Sequence, residues 1–207
     1  GKEDTWGVAS IASVKTLPSN AIIWQRTASK ELTLMFQGFD DNYLSHPDLY
    51  SGDTIIGSIG GHLKVYEDFA PNFDGTLGTA GRIGQAAYTG ATEGTLVLDL
   101  APVVLPNGST MISTFDFLTD SGNGGMFLNV VGGTWASLYD TNSQLYGSDF
   151  SFTFTVRNNV PPKVGDWIVR GDAGGESNLV PEPMSMFMVT MGVLGFGVTQ
   201  RKRKKIV

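Results

Sequence analysis

Apolar and polar residues alternate in short runs along most of the first 170 positions. In the clearest run, four apolar residues alternate with four polar ones over 150–157, and similar alternation occurs over 31–37 and 96–100. Because successive side chains of a strand point to opposite faces, this period predicts strands with one buried and one solvated face. Weaker runs add strand candidates at 20–26, 54–59, 62–67, 110–118, 125–131, 133–139 and 164–170.

About ten strands of this kind, with few stretches of helical period before residue 184, predict an all-β fold. Strands with one wet face are typical of antiparallel sheets, whereas the strands of a buried parallel sheet are apolar throughout. We therefore expect residues 1–170 to form a single antiparallel β-sandwich or jelly-roll-like domain.

Three segments interrupt the strand pattern. Residues 38–53 and 68–93 are longer than the usual connection of about four to six residues, so both are expected to be loops, the second a flexible one. Residues 171–180, GDAGGESNLV, are small, polar and glycine-rich. That composition predicts a flexible linker between the β domain and the C-terminal segment.

Charge is unevenly distributed along the 207 residues. The formal net charge is −6, yet five of the 14 basic residues occupy 201–205, and residues 1–180 hold the other nine against 19 acidic residues, a net −10. An acidic body argues against a nucleic-acid partner, which requires a basic face. The chain has no cysteine, which excludes disulfides, thiolate metal sites and cysteine nucleophiles.

The C-terminal segment contains an uncharged run followed by a cluster of cations. Residues 184–198 read MSMFMVTMGVLGFGV, and a helix of that length would extend about 22 Å, short of a hydrocarbon core of roughly 30 Å. Thr199, Gln200 and a snorkelling Arg201 lengthen its reach, so we predict a single transmembrane helix over 184–200. Flanking cations stay in the cytoplasm, which places the β domain on the other side of the membrane. The basic anchor consists of Arg201, Lys202, Arg203, Lys204 and Lys205.

The order of elements at this end resembles a known sorting signal. Pro181, Glu182 and Pro183 precede the short hydrophobic span, and the basic cluster closes the chain. Residues 181–207 in this order resemble the PEP-CTERM signal of exported bacterial proteins, although the span here is rich in methionine instead of leucine.

The resemblance implies a Gram-negative cell envelope and a signal peptide already removed. It also implies recognition by an exosortase, a membrane protease that cleaves near the tripeptide, so Pro181, Glu182 and Pro183 would be substrate positions. The protein would be held transiently in the inner membrane and then reach the outer surface or the extracellular matrix. Such proteins are often associated with biofilm, floc or exopolysaccharide. A plain single-pass anchor and a buried core helix are the alternatives for the span.

Candidate catalytic residues are few. His46 and His62 are the only histidines, and neither lies in an HExxH motif. The GxSxG and GxxxxGK[ST] motifs are absent as well. A glycosidase pair of carboxylates stays open, because such a pair is defined by its separation in space. We expect a protein without enzymatic activity.

Two groups of residues are candidates for binding. Trp24, Trp135 and Trp167 would stack on sugars, although tryptophans in β proteins more often serve packing. Asp40, Asp41, Asp48 and Asp53 would supply oxygen ligands for Ca²⁺, although a solvated acidic loop is the favoured interpretation. No other cofactor is expected.

The acidic β domain and the C-terminal segment together predict an exported surface or matrix protein with a structural or adhesion role. A carbohydrate-binding module is the alternative, and a secreted hydrolase is a weaker one. The expected partners are an exosortase, exopolysaccharide and further copies of the chain.

Overall fold

The computed structural model of the chain describes residues 3–16, 19–45, 53–158 and 165–180. Within these ranges all strand pairs are antiparallel and helices are short, so the predicted all-β class is confirmed. The helices are α1 (Ala136–Tyr139) and two 3₁₀ turns at Gly75–Gly81 and Leu145–Gly147. The strands are β1 (Thr5–Ile11), β2 (Ser13–Lys15), β3 (Ile22–Gln25), β4 (Glu31–Ser45), β5 (Asp53–Asp68), β6 (Arg82–Gly84), β7 (Ala87–Tyr88), β8 (Thr95–Pro102), β9 (Met111–Asp116), β10 (Ser121–Gly132), β11 (Phe150–Asn158) and β12 (Val169–Ser177).

One large sheet contains eight of these strands. Strands β1, β4 and β5 form one side of it, and β10, β11 and β12 form the other. Strands β8 and β9 lie end to end between β5 and β10. Residues 53–58 of β5 and 121–125 of β10 pair with β9, whereas residues 63–67 and 128–132 of the same two strands pair with β8. The remaining strands form the β2–β3 and β6–β7 hairpins.

Strand β5 changes partner at a pair of glycines. Gly60 and Gly61 have φ angles of 70° and 94°, a region that glycine adopts without steric cost. A Cβ on Gly61 would lie 2.2 Å from the Phe39 ring. The two strands predicted at 54–59 and 62–67 are therefore one bent strand.

The main core lies on one face of the large sheet. Its apolar residues stand opposite one another across the strands, as Leu63, Leu100 and Val130 do. The β2–β3 hairpin adds Trp24 to this cluster. The buried members are Trp24, Leu32, Leu34, Phe39, Leu63, Val65, Val97, Leu98, Leu100, Met111, Met126, Leu128 and Tyr139.

A second cluster covers the opposite face of the sheet at β1 and β4. Met35 of β4 packs there against Tyr88 and Ala91, with Trp6 and Trp167 at the border. Residues 72–91, called the covering segment below, supply Tyr88 and Ala91. The prediction of a flexible loop over 68–93 is thus wrong for this part, because its side chains are packed and its backbone is hydrogen-bonded to β4.

Two further predictions of local structure are wrong. The loop expected at 38–53 is strand through Ser45, because β4 continues to pair with β5 beyond Gly38. The strand expected at 133–139 is a turn followed by α1. Gly133 has a φ of 101° there, and its carbonyl accepts a hydrogen bond from Ala136 N–H at 3.2 Å.

The predicted linker is also corrected. Residues 169–177 form the edge strand β12, paired with β11 along its whole length, so the sheet extends past the boundary expected at residue 170. A glycine-rich sequence lacks side chains to pack, but β11 offers its backbone as a ladder partner. The strand predicted at 164–170 begins only at Val169.

Within the described ranges, no helix has the length and apolar character needed to span a membrane. The predicted membrane helix over 184–200, the Pro181 to Pro183 tripeptide and the basic cluster 201–205 all lie outside these ranges.

Candidate functional site

Polar side chains form two rows across β9, β10 and β11, on the face of the sheet opposite the main core. Residues directly opposite one another on neighbouring strands project to the same face. These rows line an open groove of about 400 Å³, called the polar groove below. One row consists of Thr114, Asn123 and Thr155, and the other of Asp116, Ser121 and Arg157.

The sequence of β10 explains why this face is polar. Ser121 and Asn123 alternate with Gly122 and Gly124, so the polar residues point outward and the glycines face the aromatic core. A Cβ on Gly124 would lie 2.4 Å from the Phe154 ring. The glycines make room for phenylalanines on one face, and the hydroxyl and amide groups remain on the other.

Local hydrogen bonds hold the acidic end of the groove in place. Asp116 accepts hydrogen bonds from Leu118 N–H at 2.7 Å and from the Thr119 hydroxyl at 2.9 Å. The Leu118 and Thr119 donors lower the pKa of Asp116 below its ordinary value, because they stabilise the ionised carboxylate. Asp116 is therefore an anionic acceptor at neutral pH.

The groove presents a mixed set of hydrogen-bonding groups. Arg157 supplies donors, Asp116 supplies acceptors, Asn123 supplies both, and the groove is also lined by four hydroxyls. This combination suits a polar ligand with many hydroxyl groups.

The tryptophans predicted to stack on sugars lie elsewhere. Trp24 is only 7% exposed and donates its indole N–H to Glu67 Oε1 at 3.0 Å, so the stacking prediction is wrong for this residue. Trp135 packs against the main core beside Tyr139. Trp167 belongs to the second cluster and donates to the Gly75 carbonyl at 2.7 Å. The three indoles form no common platform, and none lines the polar groove.

The acidic residues predicted as calcium ligands are not brought together where the structure describes them. Asp40 and Asp41 are consecutive residues of β4, and such side chains point to opposite faces. Asp41 accepts the Ser58 hydroxyl at 2.8 Å. Asp48 lies outside the described residues, and Asp53 begins β5. In the described part of the chain no three His, Asp or Glu side chains form a metal-binding group, and calcium binding stays a prediction.

A second polar site was missed in the sequence. His62 Nε2 is hydrogen-bonded to Asp99 Oδ1, from β5 to the neighbouring β8. Lys64 lies directly opposite Asp99 in the same ladder. The residues are 37 positions apart, so no local motif could have paired them; only the strand order does.

The cleft beside this pair has a volume of about 370 Å³. Its wall includes Glu3, whose carboxylate is held by Arg82 and by Gly38 N–H at 2.9 Å. The Arg82 hydrogen bond and that of Gly38 lower the pKa of Glu3, although partial burial acts in the opposite direction. Among the described residues, the wall of this cleft includes no hydroxyl or thiol nucleophile for His62 to activate. His46 lies outside the described residues.

No protein-family model, curated protein or solved structure matches this chain. We therefore infer its function from its own residues and geometry.

Proposed function

We propose that this chain is an exported, non-catalytic surface or matrix protein that binds exopolysaccharide through the polar groove of β9, β10 and β11. A C-terminal exosortase-type signal at 181–207 would hold it transiently in the inner membrane before release to the outer surface. The observation that carries the proposal is the ordered series of tripeptide, uncharged span and terminal basic cluster. We interpret the domain as sandwich-like, since the β2–β3 hairpin packs on the main sheet through Trp24.

The groove supports the binding part of the proposal. Polysaccharides offer rows of hydroxyl groups, and each hydroxyl both donates and accepts. The groove matches this with the hydroxyls of Thr114, Ser121 and Thr155, the Asn123 amide and one charge of each sign. An open groove across three strands also admits the middle of a long polymer, which an enclosed pocket does not.

The sorting part is tested by the mass of the mature protein. In the native host, intact-mass analysis of surface material should give a C-terminus at or upstream of Pro183. Replacing Arg201 to Lys205 with neutral residues should weaken membrane retention, because these cations set the orientation of the span. Recovery of the whole chain through Val207 as the stable form would instead establish a plain membrane anchor.

The binding part is tested on host exopolysaccharide with the full chain in detergent. The N123A/T155A variant should bind about tenfold more weakly, since several hydrogen bonds of about 1 kcal/mol or less are lost. The matched control is N72A/T89A, which removes the same two exposed residue types from the covering segment. It should bind as the wild type does.

Two outcomes would contradict this proposal. Equal binding by N123A/T155A and the wild type would show that the polymer binds elsewhere. Steady release of reducing ends, abolished by replacing one Asp or Glu, would make the protein a glycoside hydrolase.

A further inference from the structure

Strand β12 ends the main sheet with an open backbone edge. It pairs with β11 on one side along all nine of its residues, and no described strand pairs with its other side. Its residues are exposed from Val169 through Glu176. Natural edge strands are commonly protected by proline or by charged side chains, lysine above all. Residues 169–177 contain no proline or lysine, and their three charged residues are of both signs. The outer backbone edge of β12 is therefore suited to pairing with another strand.

The side chains of β12 separate by size and charge. Arg170, Asp172 and Glu176 lie on the same face as the polar groove, opposite Arg157, Thr155 and Ser151 of β11 respectively. The alternate positions 171, 173 and 175 hold Gly, Ala and Gly. They leave no bulky group on the core face that would obstruct an incoming strand.

Strand β12 takes part in an unfavourable cross-strand pair that no ion pair among the described residues offsets. Arg170 stands directly opposite Arg157, and like charges at opposed positions of an antiparallel pair are destabilising. Among the described residues, the ion pairs involve neither arginine. A carboxylate on the open side of Arg170 would offset the repulsion between Arg157 and Arg170.

The sequence of β12 is complementary to itself in one antiparallel register. When Ala173 is placed opposite Ala173 of a second copy, Arg170 stands opposite Glu176 twice, and all nine residues pair. A shift of one residue places a glycine or a serine opposite Arg170. A shift of two places Asp172 opposite another Asp172 or opposite Glu176.

We propose that β12 pairs with β12 of a second copy of this chain, antiparallel and centred on Ala173, so that two main sheets join into one. The contact is two-fold symmetric and therefore closes at a dimer instead of growing into a fibre. The two-fold axis is perpendicular to the sheet, so both polar grooves face the same side. This pairing does not depend on polysaccharide binding.

Cross-linking tests the register directly, because the chain has no cysteine of its own. Directly opposed Cα atoms of an antiparallel pair are about 4.5–5.5 Å apart, within the disulfide range of about 4.4–6.8 Å. The full-length A173C variant in detergent, under mild oxidation, should give a disulfide-linked dimer. The matched control T153C places a thiol on exposed β11, one strand in from the edge, and should stay monomeric. Equal cross-linking of the two variants would overturn the proposal.

A charge exchange tests the pairing chemistry. R170E and E176R should each raise the dimer dissociation constant about tenfold, because both cross-strand pairs change from opposite to like charges. The double variant R170E/E176R should return to within about twofold of the wild type, since the same pairs form with exchanged signs. Sedimentation equilibrium in detergent measures all four proteins, with the membrane span identical in each.

The single variant R170E also shows whether weaker dimerisation could come from a destabilised monomer. It replaces the Arg157 and Arg170 pair by opposite charges within one chain, so the monomer should melt no lower than the wild type. A double variant that dimerises no better than the single ones would contradict the self-pairing of β12.

Discussion

Strands β4 and β11 both alternate apolar and polar residues, but the polar residues are buried in β4 and exposed in β11. In β11, Thr153 and Thr155 remain exposed beside the polar groove. In β4, Glu31 and Thr33 are buried beneath the covering segment. Alternation therefore shows that a strand has two chemically different faces, but it does not show whether a later segment covers the polar one.

The buried polar residues of β4 hold the covering segment in place through hydrogen bonds. The Glu31 carboxylate is 0% exposed and accepts hydrogen bonds from Asn72 N–H at 2.8 Å, Phe73 N–H at 2.9 Å and Arg26 at 2.8 Å. Thr33 donates its hydroxyl to the Ala91 carbonyl at 2.6 Å. A buried carboxylate is tolerated only with partners of this kind. Both residues fasten the covering segment, whereas their counterparts in β11 are free to meet a ligand.

The largest difference between the strands should appear on removing Glu31. E31A deprives two backbone donors of their acceptor, so we expect the free energy of unfolding to fall by about 3 kcal/mol. T155A, the matched change on β11, should stay within about 0.5 kcal/mol of the wild type. Urea unfolding of the full chain in detergent measures both. A loss below about 1 kcal/mol for E31A would mean that the hydrogen bonds of Glu31 contribute little to holding the covering segment.

These two strands also mark how far the sequence could predict the structure. Strand β11 was predicted within a residue, because its pattern is regular and local. The length of β4, the bend of β5 at Gly60 and Gly61, and the strand at 169–177 were missed. In each case the outcome depends on a partner strand distant in sequence, which local patterns do not encode.

The same limit applies to the candidate sites, because the sequence identifies residue types but not which residues strand pairing brings together. From the sequence, tryptophans and aspartates were predicted as binding residues by their residue types. In the structure Trp24 is buried, and the side chains of Asp40 and Asp41 point to opposite faces of β4. The polar groove consists of ordinary Thr, Ser and Asn residues, and only the register of three strands brings them together. The pair of His62 and Asp99 depends likewise on the pairing of β5 with β8.

A smaller effect is expected at the centre of the covering segment. Tyr88 is 0% exposed, and its hydroxyl donates to the Gly78 carbonyl at 3.1 Å. Burial, reinforced by the nearby Asp74 charge, raises the pKa of Tyr88, so the hydroxyl keeps its proton at neutral pH. Y88F should lower the free energy of unfolding by about 1 kcal/mol. Its control is Y146F, at a 57% exposed tyrosine, and thermal melting should show no change there.

The smallest effect is expected at the rim of the covering segment, where Arg82 bonds to Glu3 in partial contact with solvent. The Arg82 hydrogen bond lowers the folded-state pKa of Glu3 from its ordinary value of 4.5. A depressed carboxyl pKa adds stability above the unfolded value, and that stability is lost as the pH falls through the folded value. Solvent screening limits the contribution to about 0.5 kcal/mol.

The difference in unfolding free energy between the wild type and E3Q should therefore be constant above about pH 5 and shrink below it. Arg82 stays in place in E3Q, since it also lies 4.4 Å over the Trp6 ring. In an R82Q background the same E3Q substitution should lose most of this pH dependence, because its main cause is gone. Denaturant unfolding at pH 3 to 7 compares the four proteins. If E3Q has the same pH dependence in both backgrounds, Arg82 is not the cause of the lowered Glu3 pKa.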